Sequence, residues 1–127
     1  MDARLDLFGS LGLELGDAHL LRNAGGMITD DVLRSLAISQ RALGTREIAL
    51  LHHTRCGMSD FDDEAFRAEL EAESGQAPTW DVPGFSDVRA DVRSSIDRVR
   101  ACPWLPHRDD VRGFVYDVAT GAVEEVS

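Results

Sequence analysis

Apolar positions in this chain fall into two alternating patterns, helical spacing and short unbroken runs. Leu5, Phe8, Leu11 and Leu15 recur at helical intervals, with Gly12 and Gly16 as end points, so the first segment is predicted to be a short helix. The brief run over residues 18–22 leads into Asn23, Ala24, Gly25 and Gly26, the pattern of a strand entering a tight loop, with His19 as a structural histidine near the strand edge. Thr29 is an N-cap, Asp30 and Asp31 follow where the helix dipole favours negative charge, and Val32, Leu33, Leu36, Ala37, Gln40 and Leu43 keep to one side until Gly44 ends the helix. Ile48, Ala49, Leu50 and Leu51 then form a run without polar alternation, which suits a parallel strand covered on both faces. The order strand, helix, strand is that of a right-handed crossover unit.

The second half repeats the vocabulary. Asp62, Asp63 and Glu64 precede Ala65, Phe66 and Leu70, with Gly75 as terminator, which predicts another helix. Residues 76–85 carry Pro78, Pro83 and Gly84 and read as a loop that Trp80 anchors to the body. Ser86 and Asp87 start a helix with Val88, Val92, Ile96 and Val99 on one face, and Cys102 at its exit reads as a small packing residue. Residues 112–118 are a last apolar strand, turned by residues 117–121 into a closing hairpin or edge strand. The fold class is α/β, a parallel sheet core flanked by helices, in one domain of 127 residues.

Charge narrows the partners. A formal net charge of -10 argues against nucleic acid, whose phosphates need clustered positive charge. No apolar run approaches the roughly 20 residues that span a bilayer, and Asp2, Arg4 and Asp6 leave no signal-peptide core, so no membrane partner and a cytoplasmic location are expected.

The candidate chemistry lies just past the run at 48–51. His53 and Cys56 are three apart, with Gly57 following, so the chain can turn and aim an imidazole and a thiolate at one point. Zinc accepts that pair, and ligand sites in open α/β sheets lie beyond the carboxyl ends of strands. Spacing alone does not separate such a pair from chance neighbours. If strand alternation continues, His52 points away from His53 and packs or makes a hydrogen bond.

Met1-Asp2-Ala3-Arg4 taken with His53-Thr54-Arg55-Cys56, and with Arg22-Asn23-Ala24-Gly25 and Thr29-Asp30-Asp31 between them, resembles the β-class carbonic anhydrases, in particular the small bacterial branch. The family's first motif is Cys-x-Asp-x-Arg and its second His-x-x-Cys, and the resemblance runs from residue 1 to about residue 121.

The resemblance implies that His53 and Cys56 are ligands of Zn2+. It makes Asp2 and Arg4 a catalytic dyad, in which arginine holds the carboxylate ionised. Asp2 would accept a hydrogen bond from the zinc-bound water or, in a closed form only, take the water's place as a metal ligand. The implied activity is reversible hydration of carbon dioxide to bicarbonate by a zinc-bound hydroxide, which zinc generates near neutrality, as is known for carbonic anhydrase itself.

Hydrolysis of carbonyl sulfide or carbon disulfide on the same ligand set is the alternative enzyme. A non-catalytic truncated homologue, acting as a zinc-binding or interaction domain, is the alternative of a different class. The family pattern also implies a homodimer or higher homo-oligomer. It calls for a cysteine immediately before Met1 and a central strand leading up to it, so the chain is expected to be N-terminally incomplete. Arg55 stands where many relatives carry an acidic residue.

Overall fold

A computed structural model describes residues 1–127. Three strands form one sheet in the order β1 (Ile48–His53), β2 (Val111–Tyr116), β3 (Val123–Val126). β1 and β2 are parallel, with Ile48 opposite Val111 and His53 opposite Tyr116, and β2 and β3 are antiparallel. The helices are α1 (Leu7–Leu11), α2 (Asp30–Leu43), α3 (Asp63–Ser74) and α4 (Val88–Arg100). None is long and apolar enough to cross a membrane.

Local chemistry explains the helix ends. Thr29 Oγ1 accepts from Val32 N–H at 3.3 Å, and Gly44 closes α2 in the left-handed region at φ 78°. Asp62 and Asp87 cap α3 and α4 in the same way, and Gly75 ends α3 at φ 75°. The core lies between α4 and the sheet. Val92 and Val99 are fully buried there, packed with Ile48, Leu50, Ile96, Val111 and Val115. Gly113 lets α4 sit close, because a Cβ at that position would stand 2.2 Å from Val92 Cγ1. Cys102 is a buried member of the same core.

Four expectations change. Residues 18–22 form no strand, so the parallel crossover runs from β1 to β2 through α3 and α4 instead. Their physical reason is pairing: a strand exists through a neighbour's backbone, and none lies beside this run. β1 is covered on one face only. Ile48, Leu50 and His52 are buried towards α4, whereas Ala49 is exposed and Leu51 half-buried. Trp80 is 51% exposed rather than buried in the body; the loop is tied to α3 by Arg67 Nη2 donating to Pro78 O at 3.0 Å and Val82 N–H donating to Asp63 Oδ1 at 3.0 Å. The first helix is shorter than its apolar spacing, ending at Gly12 and leaving Leu15 92% exposed.

A groove of about 1780 Å³ opens between residues 18–22 and β1. Leu20, Leu21, Leu36 and Leu51 are among its lining residues, and Met1, Asp2, His53 and Cys56 also border it.

Candidate metal centre

β1 delivers His53 to the carboxyl edge of the sheet, where the residue is 8% exposed. His53 Nδ1 lies 2.8 Å from the Thr54 carbonyl oxygen, which can only accept, so Nδ1 carries the hydrogen and Nε2 holds the lone pair when the ring is neutral. Thr54 is itself fixed: its N–H donates to Tyr116 O at 2.9 Å and its Oγ1 accepts from Val118 N–H at 3.1 Å. The carboxylate of Asp2 faces the free nitrogen, with Oδ2 3.6 Å from Nε2.

Arg4 grips Asp2 on both oxygens. Its Nε donates to Oδ1 at 2.9 Å and its Nη2 to Oδ2 at 2.6 Å, while the Arg4 backbone N–H donates to Oδ1 at 2.8 Å. These bonds, the guanidinium's first, hold the Asp2 carboxyl far below the usual carboxylate range. Arg22 Nη2 donates to the Asp2 carbonyl at 2.6 Å and fixes the main chain there. Cys56 sits in the loop after β1, and its sulfur accepts the Met58 N–H at 3.5 Å, the kind of outer contact that suits a metal-bound thiolate. Arg55, between the two, adopts the left-handed conformation at φ 52°, which aims its carbonyl at Arg4.

The donor chemistry fits two ligands of a zinc site. A lone pair and a carboxylate oxygen at 3.6 Å repel unless a proton or cation lies between them. Ligands at roughly 2.0–2.2 Å from one tetrahedral ion stand about 3.4 Å apart, close to that separation. No group of three or more His, Cys, Asp or Glu side chains is arranged to hold a metal ion. A catalytic zinc takes three protein ligands and a water. The donor types suit zinc, but the side chains are not gathered into a complete ligand set.

Three histidines fall outside the donor set, among them His107, whose Nδ1 lies 3.9 Å from Asp110 Oδ2. His52 is buried on the opposite face, its Nδ1 2.9 Å from Asp91 Oδ2. Burial pulls its imidazole below the ordinary value, against the raising effect of Asp91. His19 Nδ1 lies 2.7 Å from Ser39 Oγ, on α2. Sequence reasoning missed Asp91 as the partner of His52 and the Arg55 carbonyl as a partner of Arg4; both pairs are distant along the chain, and no spacing signal marks them.

The carbonic anhydrase family profile matches residues 1–123. β-Carbonic anhydrase 1 of Mycobacterium tuberculosis is 53% identical over all 127 residues, which cover 100% of this chain and 78% of that protein. The chain belongs to the β-carbonic anhydrase family. Its fold agrees: the crystal structure of a carbonic anhydrase from Streptococcus mutans superimposes with a TM-score of 0.91 at 45% identity, covering 100% of this chain and 77% of that one. A carbon disulfide hydrolase of Acidithiobacillus thiooxidans is 33% identical over 142 residues, covering 95% of this chain and 71% of its own. This β-carbonic anhydrase family member is thus an enzyme by kinship, similar to proteins named for two substrates.

Proposed function

We propose that the protein interconverts carbon dioxide and bicarbonate, with His53 and Cys56 as zinc ligands and Asp2 and Arg4 as the catalytic dyad. The observation that carries the reading is the Asp2 carboxylate held by Arg4 at 3.6 Å from the free Nε2 of His53. When bound, zinc supplies activation of water near neutral pH. The chain's own residues do the rest. Thr54 sets the tautomer of His53, Arg4 keeps Asp2 ionised, and Asp2 accepts a hydrogen bond from water at the site or, in a closed form, acts as a ligand itself. Carbon dioxide and one water give bicarbonate and one proton, and Asp2 fixes the direction in which the attacking oxygen's lone pair points.

These residues gather no third ligand, so on this reading a further donor, a thiolate by the family pattern, would have to complete the set. The groove between residues 18–22 and β1 has the unpaired run on one side and the unpaired edge of β1 on the other, which is room for a further strand. The same reading carries at least a homodimer acting in the cytoplasm.

The likeness to the carbon disulfide hydrolase supports a second substrate class, small linear molecules attacked at carbon. Stopped-flow hydration of carbon dioxide by the zinc-loaded protein, run beside sulfide release from carbon disulfide and carbonyl sulfide, tests the choice. Carbon dioxide turnover without sulfide release is expected. Sulfide release alone would replace the first reading by the second. Loss of both in a protein with a full complement of zinc would leave the non-catalytic reading.

A further inference from the structure

The buried pair His52–Asp91 has no place in the chemistry above. His52 is 3% exposed and neighbours His53 on β1, yet it faces α4, where its Nδ1 lies 2.9 Å from Asp91 Oδ2 in the first turn. The other edge of the ring lies against Gly26. A Cβ built on that glycine, which has φ +67°, would come 3.1 Å from His52 Cδ2 and 3.2 Å from Nε2. Neither ring nitrogen has a well-directed hydrogen bond. Burying two poorly satisfied polar atoms costs stability that an apolar side chain of similar volume would not. Core packing alone therefore does not account for an imidazole here.

The contacts beyond Gly26 lead back to the metal centre. Asn23 closes the turn over residues 23–27, its Nδ2 donating to Met27 O at 2.8 Å and its Oδ1 accepting from Met27 N–H at 2.9 Å. Arg22, just before the turn, donates to the Asp2 carbonyl at 2.6 Å. Asp2 then faces His53 at 3.6 Å. The path leaves β1 at His52 and returns to it at His53, so the turn over the strand end is linked by contacts to the Asp2–His53 pair.

We propose that His52, braced by Asp91, is a positioning residue: its ring is the spacer that fixes the Gly25–Gly26 turn above β1 and, through Arg22, the place of Asp2 relative to His53. The inference rests on the proposed carbonic anhydrase reading for the meaning of that separation. It does not rest on it for the geometry.

The test uses the protein with His52→Ala, Asp91→Ala and the conservative Asp91→Asn, each incubated with zinc or cobalt(II). Positioning predicts that His52→Ala and Asp91→Ala keep one metal per chain, shift the cobalt absorption bands and lower kcat by about 10- to 100-fold, with KM little changed. Asp91→Asn, which retains an acceptor oxygen, should recover kcat to within a few-fold. In metal-free protein the Gly25 and Gly26 amide resonances should move in Asp91→Ala. Should His52→Ala fail to fold, Asp91→Ala, at the more exposed partner, carries the test. A fall in Tm with unaltered cobalt bands, amide resonances and kcat would reduce the pair to a structural role and overturn the proposal. If wild-type cobalt protein hydrates no carbon dioxide, the functional reading fails, and the cobalt bands and amide resonances still judge the spacer.

Discussion

Arg4 Nη2 donates to the carbonyl oxygen of Arg55 at 3.2 Å, across 51 residues of sequence, while the same guanidinium holds both carboxylate oxygens of Asp2. One side chain thus joins the first motif to the loop that carries Cys56. It also supports the left-handed backbone at Arg55, a conformation that non-glycine residues adopt at a cost of about 1–2 kcal/mol. Arg4→Ala is expected to lower carbon dioxide turnover by about 10- to 100-fold while most zinc remains, since Arg4 is not a ligand. Arg4→Lys should rescue little, because an ammonium cannot span two carboxylate oxygens and a carbonyl in one plane. Unchanged turnover at saturating substrate, measured with zinc content on the same samples, would remove the dyad from the mechanism.

The two adjacent histidines should separate by metal content. His53→Ala is expected to lose most bound zinc. His52→Ala should retain it, because its ring points to Asp91 on the other face of β1. Metal analysis of the two purified variants decides; equal loss would overturn the ligand assignment.

The helices were legible because their signals are local: Thr29 and Gly44 bracket α2 within 16 positions of sequence, so capping rules suffice. The Asp2–Arg4 pair came from the family resemblance, and the structure joins the two side chains by hydrogen bonds. Residues 18–22 were misread for the opposite reason: their composition suits a strand, but a strand is decided by a partner elsewhere in the chain. Trp80 misled because apolar character does not specify what covers it. The pair His52–Asp91 was half legible. Alternation placed His52 on the far face, yet only the packing of α4 on β1 and β2 brings Asp91 to it.

Gly113 gives a stability prediction. Replacing it by alanine removes a backbone-entropy cost of roughly 0.5–1 kcal/mol but sets a methyl 2.2 Å from Val92 Cγ1 and 2.9 Å from Ile96 Cδ1. Val92 is fully buried and has nowhere to move. Overpacking should win, and Gly113→Ala should destabilise the protein by about 1–3 kcal/mol in urea unfolding. A variant as stable as wild type would mean that α4 can shift outward as a body.

Acid should weaken the end of the sheet and the start of α4 together. The Ala90 and Arg89 backbone N–H groups, accepted by Asp87 Oδ1 at 3.2 and 2.8 Å, hold the Asp87 carboxyl below its ordinary value. The Arg112 guanidinium does the same to Glu125 through bonds of 2.7 and 2.6 Å. Both folded values are depressed, so the unfolded chain takes up protons first as pH falls. The stabilisation is present above the unfolded values, near pH 4, and is lost as pH drops through the folded ones. The Tm gap between wild type and Asp87→Ala should therefore be widest above about pH 4 and narrow progressively as pH falls below it. A gap that stays constant across that range would show that the cap contributes nothing through its charge.

The groove beside β1 allows a last prediction that does not depend on activity. If a strand ahead of Met1 fills it, that strand pairs with β1 on one side and with residues 18–22 on the other, and turns both into ladder members. Leu20 and Leu21, now 39% and 48% exposed, would be covered, and backbone amides on both flanks would gain acceptors. Hydrogen exchange compares the 127-residue chain with the same chain extended ahead of Met1 by a strand that ends in cysteine. Amides of residues 18–22 and the outer amides of β1 should be slowed by orders of magnitude in the longer protein, because their opening then requires loss of a central strand rather than fraying at an edge. Amides in β3, remote from the groove, should change far less and serve as the control. Equal exchange at residues 18–22 in the two proteins would exclude an inserted strand and, with it, the route by which a third ligand reaches His53 and Cys56.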